Sequence, residues 1–163
     1  MKQNIITKLT DRQHILSRVG MYIGSKVEES KEVLILESNK FKYQTITYIP
    51  GLLKIIDEII DNSVDEAIRT NFQFANNISI DHKDGEITIS DNGRGVPIAA
   101  GHDNIPQAVI AFTEARAGSN FSAETKANGI GTNGVGSFLT NVFSKKFSVI
   151  TNDGKEQLIL VSI

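Results

Sequence analysis

Apolar residues recur along this chain at two different periods, and the switches between them mark its elements. From Pro50 to Arg69, PGLLKIIDEIIDNSVDEAIR, the spacing is helical. At about 100° per residue, Leu52, Leu53, Ile56, Ile59, Ile60, Val64 and Ala67 share one side. Glu58, Asn62, Asp65 and Arg69 share the other, with Asp61 and Glu66 at its margins. Such a helix is expected to bury the first stripe and show the second. Elsewhere the spacing predicts strands. VLIL at 33–36 and YQTITYI at 43–49 are two of them. Asn76 to Asp91 reads as a hairpin, NISID and EITIS joined by HKDG. Residues 147–151 and 156–162 read as another, turning at Asn152–Asp153–Gly154.

Three shorter helices complete the pattern. Thr10 or Asp11 caps one that runs to about Arg18 and stops at Gly20, before a tight turn at MYIGS. QAVIAFTEA follows Pro106, and GVGSFLTNVFS opens a helix at about Val135–Ser137. Residues 25–32 are charged and read as a loop. Residues 114–133, rich in Gly, Ser, Asn and Ala, form the longest loop, and long loops are often functional. Helices set between hairpins predict an α+β fold. The expected architecture is a two-layer sandwich, with helices on one face of a mixed, mostly antiparallel sheet. A doubly wound parallel sheet needs regular crossover helices, which this order lacks.

Composition narrows the field. A length of 163 residues suits one domain with a sizeable core. There is no Cys, which excludes disulfides and thiolate metal sites, and three scattered His residues do not make a zinc site. No apolar run approaches a membrane span, and MKQNIITKLTDRQHIL lacks the apolar core of a signal peptide. A cytoplasmic location is therefore expected. The formal net charge is −2 with Lys and Arg dispersed. A protein that grips duplex DNA normally carries a basic stripe, so this chain is not expected to hold nucleic acid tightly itself.

Three stretches have candidate chemistry. Glu58 and Asn62 lie four apart on one helix face. A carboxylate there can take a proton from water, and an amide oxygen can ligate Mg²⁺ without adding charge. Taken alone, the face also fits an acidic surface helix. Asp91-Asn92-Gly93-Arg94-Gly95 follows a strand. It fits a turn, and equally a base pocket in which glycines admit a flat ring and Asp91 accepts from an exocyclic amine. Gly129, Gly131, Gly134 and Gly136 run into a helix, where backbone N–H groups and the helix dipole favour an anion. They also fit an ordinary loop. The spelling matches neither a dinucleotide fingerprint in its strand context nor a P-loop.

In combination the three are specific. Their order and spacing resemble the GHKL (Bergerat-type) ATPases, the gyrase, Hsp90, histidine kinase and MutL group. Glu58 to Asn62 resembles the N box, DNGRG the G1 box and GIGTNGVG the G2 lid. MYIGS, YIPGL, DEIIDNSVDEA, DNGRGVP and NGVGSFLTNVFS are similar to type IIA DNA topoisomerases. The wording of 48–76 is most similar to the large-subunit branch of T-even-type phages, which suggests a phage source.

The resemblance implies roles. Glu58 is the general base toward the attacking water, and Asn62 ligates Mg²⁺. Asp91 binds the adenine amine, partly through water near Gly95. Glu66 and Arg94 pair beside the base, Pro97 lines the pocket and Asn92 contacts the nucleotide. Ser119 and Asn120 reach phosphates and ribose. Where bacterial gyrases often carry a Lys near Asn120, this chain has none. Gly131, Thr132, Asn133, Gly134, Val135, Gly136 and Ser137 fold over the triphosphate. Residues 1–163 are expected to form one nucleotide-binding domain, with an arm at about 1–20 that crosses to a partner subunit and makes a homodimer. On the family's pattern the chain stops before the last core strands and the transducer domain with its switch lysine. The isolated chain is thus expected to be weak or inactive. The implied function is ATP binding and hydrolysis that closes a gate for DNA strand passage, beside another topoisomerase subunit. The alternative is a non-catalytic nucleotide-binding fragment or decoy subunit.

Overall fold

The computed structural model describes residues 6–118, 130–131 and 134–163. Two compact units divide the chain, Met1–Lys54 and Ile55–Ile163.

In the first unit, α1 (Asp11–Ser17) starts with a reciprocal capping box. Gln13 N–H donates to the Thr10 hydroxyl at 3.2 Å, and Thr10 N–H to the Gln13 amide oxygen at 3.0 Å. Gly20 does not stop the helix. Arg18 leaves helical geometry instead (φ −131°, ψ 41°), and the chain re-enters helix for one turn as α2 (Val19–Tyr22). His14 and Tyr22 bridge the two, Nδ1 to Oη at 2.8 Å. Strands β1 (Glu29–Glu37) and β2 (Lys40–Tyr48) pair antiparallel from Glu29↔Tyr48 to Glu37↔Lys40. Residues 29–32 therefore belong to a strand. Their charges misled the sequence reading, because an exposed hairpin face tolerates them. The turn is Ser38–Asn39, both at positive φ (51° and 63°), the two-residue geometry whose twist matches the strands.

Helix α3 (Pro50–Arg69) starts in the first unit and runs through the second. Its burial departs from the expected stripe. Leu52 and Leu53 are 48% and 47% exposed, whereas Ser63 and Asp65 are each 5% exposed. Asp65 of the polar side is buried while Asn62 and Arg69 stay exposed, and Ser63 is buried amid the apolar side. Asp91 covers Ser63, and the backbone of Ile130 and Gly131 covers Asp65. Burial of polar groups is tolerable because each is hydrogen-bonded.

The remaining elements all lie in the second unit. β3 (Ile78–Lys83) and β4 (Glu86–Asp91) form a hairpin through Asp84–Gly85, both at positive φ. His82 and Lys83 thus continue the strand rather than the turn. α4 (Gln107–Thr113) and α5 (Gly136–Phe143) follow, then the hairpin of β5 (Phe147–Asn152) and β6 (Gln157–Ser162). Ile55, Ala67, Ala75, Ile98, Ala108, Phe138, Leu139, Val142 and Phe147 form this unit's buried core. Among the described residues every ladder is antiparallel and each hairpin is its own two-stranded sheet. The expected mixed pairing is absent among the described residues, since each strand pairs with the neighbour that a short turn delivers to it. No described helix is long and apolar enough to cross a membrane.

Candidate functional site

Two residues of α3 one turn apart meet two consecutive residues at the start of α5. The Glu58 carboxylate lies against Gly136. A Cβ at 136 would overlap a Glu58 carboxylate oxygen and stand 2.8 Å from Glu58 Cδ. Only a residue without a side chain admits that approach. Next to it, Asn62 Nδ2 donates to Ser137 Oγ at 2.9 Å. Asn62 thereby turns its amide nitrogen to α5, which leaves its oxygen as the candidate metal ligand. The Val135 side chain makes no capping hydrogen bond at the start of α5. The first N–H groups of a helix carry partial positive charge and lack partners within the helix, which suits an anion.

A second cluster forms where β4 ends. Asp91 Oδ2 accepts from the Ser63 hydroxyl at 2.6 Å, and Oδ1 from Gly93 N–H at 2.8 Å. Arg94 donates to both oxygens of Glu66, Nε at 2.6 Å and an Nη at 3.2 Å, and stands over the Phe74 ring at 5.9 Å. Such a forked pair fixes direction as well as distance. The Arg94 hydrogen bonds hold the Glu66 carboxyl below the usual carboxylate range, against the opposing pull of partial burial. A group whose folded pKa is depressed stabilises the fold fully above its unfolded pKa and loses that as pH falls through the folded value. The stability gap between wild type and Arg94→Gln should therefore be present at neutral pH. In urea titrations it should close once pH drops through the folded pKa of Glu66, below the ordinary Glu range. A gap unchanged at the lowest pH would remove the pair from the account.

The strand end is held in place from β5. Gly95 has φ of +73°, and a Cβ there would overlap the Asn152 carbonyl oxygen. Val96 N–H donates to Thr151 Oγ1 at 2.8 Å, and Ile98 N–H to Asp153 Oδ2 at 3.2 Å. Asp153 also takes N–H groups of Glu156 and Lys155, and these backbone donors lower its pKa. Pro97 is exposed, and its carbonyl accepts from Ala108 N–H at 3.0 Å, which ties the loop to α4.

Other expected site residues stand elsewhere in the network. The Asn92 side chain joins Asn76 and Asn77, at 2.8 and 3.0 Å, and clasps the open end of the β3–β4 hairpin. Gly131 N–H donates to Asp65 Oδ2 at 2.9 Å, beside Ile130 N–H on Oδ1 at 2.6 Å. The Gly134 carbonyl accepts from Ala117 N–H, and that of Val135 from Leu139 N–H. Ser119, Asn120, Thr132 and Asn133 lie outside the described residues. A surface groove on the β3–β4 hairpin is lined by Asp81, Lys83, Asp84, Glu86 and Thr88, none of them an expected site residue.

Ser63, Asp65, Thr151 and Asp153 were missed as working parts of the site. Ser63 left one signal, a hydroxyl amid the apolar side of a helix, which needs a partner once covered. Thr151 and Asp153 left none, because their partners lie 55 residues away.

Among the described residues, no three His, Cys, Asp or Glu side chains converge as a metal cage. The donor set on α3 is one carboxylate and one amide oxygen. That set does not suit an all-protein Ca²⁺ or Zn²⁺ site. It fits Mg²⁺, which keeps several waters and takes phosphate oxygens with only one or two protein ligands.

The histidine kinase-, DNA gyrase B- and HSP90-like ATPase family matches residues 47–161. The chain belongs to this family. Within the family, the DNA topoisomerase large subunit of Enterobacteria phage T4 is 45% identical over 164 residues, 98% of this chain and 31% of that protein. DNA topoisomerase 2 of Penicillium chrysogenum is 33% identical over 92% of this chain and 10% of its own length. The chain thus spans a minor part of these relatives. Among solved structures, the ATPase region of Saccharomyces cerevisiae topoisomerase II bound to ICRF-187 (dexrazoxane) superposes with a TM-score of 0.82. The identity is 27%, covering 96% of this chain and 43% of that one. The fold is that of this ATPase family, helices with antiparallel strands, as expected from the sequence.

Proposed function

We propose that this chain binds ATP with Mg²⁺ and hydrolyses it as the ATPase part of a type IIA DNA topoisomerase. One observation supports this most: Glu58 and Asn62 on α3 meet Gly136 and Ser137 at the start of α5. A phosphate set there has backbone N–H groups on one side and a carboxylate and an amide on the other. Family membership and the topoisomerase relatives support the same reading.

On this reading Glu58 accepts the proton of the attacking water, and Asn62 is the residue that would hold Mg²⁺. The ion supplies charge neutralisation at the phosphates. Asp91 accepts from the adenine amine. Gly95, Pro97 and the Glu66–Arg94 pair border the base, and Asn92 keeps the strand end in register. Gly134, Val135, Gly136 and Ser137 give the phosphate side its backbone donors, Gly131 anchors the same loop on Asp65, and Ser119, Asn120, Thr132 and Asn133 are assigned to the same ligand. Residues 1–163 act as one nucleotide-binding domain. In the full enzyme, ATP closes a dimeric gate formed through the N-terminal arm. DNA is held by the rest of the enzyme and a second subunit. The enzyme works in the cytoplasm, that of a host if the source is a phage.

Nucleotide titration of the purified chain, with ATP and GTP in turn and Mg²⁺ present, tests the reading. Wild type should prefer ATP. Asp91→Ala should weaken ATP by about 1.5–3 kcal/mol, the worth of a charged hydrogen bond, and GTP far less. Equal wild-type affinity for both nucleotides would contradict the role of Asp91.

A further inference from the structure

Ser63 is 5% exposed on α3, one residue beyond Asn62, and the roles above leave it unused. A hydroxyl inside a helix ordinarily bonds back to the carbonyl four residues earlier. Thr113 and Thr140 in this chain do so, to Val109 and Gly136, and so do Thr70 and Ser144 just past their helices, to Glu66 and Thr140. Ser63 instead donates to Asp91 Oδ2 at 2.6 Å, across 28 residues of sequence. Gly93 N–H takes the other oxygen at 2.8 Å. A carboxylate gripped at one oxygen can still turn about its Cβ–Cγ bond. Gripped at both, it is held in one plane. Both grips are donors, so the lone pairs left over can only accept. A base edge with an amine at that point is received, whereas a carbonyl there sets oxygen against oxygen.

We propose that Ser63 is a positioning residue that sets the base selectivity of this site through Asp91. It favours a purine with an exocyclic amine over one with a carbonyl in that place. The proposal rests on the ATP reading above and adds to it a residue that touches neither phosphate nor base. It accounts for a buried serine at a helix position where an alanine would fill the space without a polar atom to satisfy.

Ser63→Ala removes one oxygen and should fold, which far-UV circular dichroism and thermal unfolding check. In the full chain, the ratio of ATP to GTP affinity should fall roughly tenfold, the order of one hydrogen bond. The loss should sit in ATP affinity, with turnover of bound ATP unchanged. Ser63→Thr, which keeps the hydroxyl, should restore the ratio. In an Asp91→Ala background, Ser63→Ala should change the ratio no further. A readout without nucleotide runs alongside: the Gly93 amide should exchange hydrogen several-fold faster in Ser63→Ala, because an unpinned Asp91 carboxylate accepts it poorly. Equal losses for ATP and GTP, or a selectivity effect that persists without Asp91, would overturn the proposal. So would an unchanged Gly93 amide. If wild type bound no nucleotide, the ATP reading and the selectivity would both fall. The Gly93 exchange would still report whether Ser63 holds Asp91, so the two failures can be told apart.

Discussion

Glu58→Ala should leave ATP binding near its wild-type level and lower turnover about 10²–10⁴-fold, the usual contribution of a positioned base. The expectation follows from where the carboxylate stands. It lies against the first residue of α5, so it is beside the donors assigned to phosphate rather than on the base. Its removal leaves the Ser63 and Gly93 bonds to Asp91 in place. Phosphoryl transfer also draws much of its rate from positioning and charge, which the variant keeps, so the loss should be bounded rather than total. Equilibrium binding and single-turnover hydrolysis, measured on the same preparation, separate the two effects. Loss of affinity with unchanged turnover per bound ATP would remove Glu58 from the role of base.

The second large effect concerns the fold. Gly95→Ala should destabilise the second unit by about 2–5 kcal/mol. A left-handed backbone costs a residue with a Cβ about 1–2 kcal/mol, and an overpacked methyl typically adds about 1–3 kcal/mol. The neighbour it would strike is the Asn152 carbonyl, part of a strand ladder, and not a flexible side-chain end that could swing away. Arg94 and Val96 flank the same residue, so Glu66–Arg94 and Val96–Thr151 should loosen together. Urea unfolding followed by circular dichroism measures the loss. A variant as stable as wild type would mean that β5 does not press on this turn.

Periodicity carried much of the fold. The span of α3 matches its pattern at both ends, since Pro50–Gly51 opens it and Arg69 closes it before a polar stretch. The β3–β4 and β5–β6 hairpins stand where alternation put them. Charge was the weaker guide. Residues 29–32 looked like a loop because Glu and Lys are common in loops, yet β2 offered them a full ladder. The inward face of α3 was misjudged for a related reason. Periodicity sorts apolar from polar, and it cannot say that a polar side will be covered by a partner with matching donors. Asp65 is buried by such donors, the N–H groups of Ile130 and Gly131, and Ser63 on the apolar side by an acceptor, Asp91. The site was legible where one segment held its own chemistry, as in DNGRG. The meeting of Glu58 with Gly136 needed helical spacing together with the known order of a family. The supports from Thr151 and Asp153 depend on a chain reversal that no local pattern records.

One helix bears both ends of the site, and that turns it into a ruler. At about 1.5 Å per residue, the stretch from Glu58 to Glu66 measures about 12 Å. A single inserted residue between them would swing the far end by about 100° and take Glu66 away from Arg94 or Glu58 away from Gly136. The chain can therefore vary in length at its turns, but between these two acids the spacing is fixed by the partners at either end, Gly136 and Arg94.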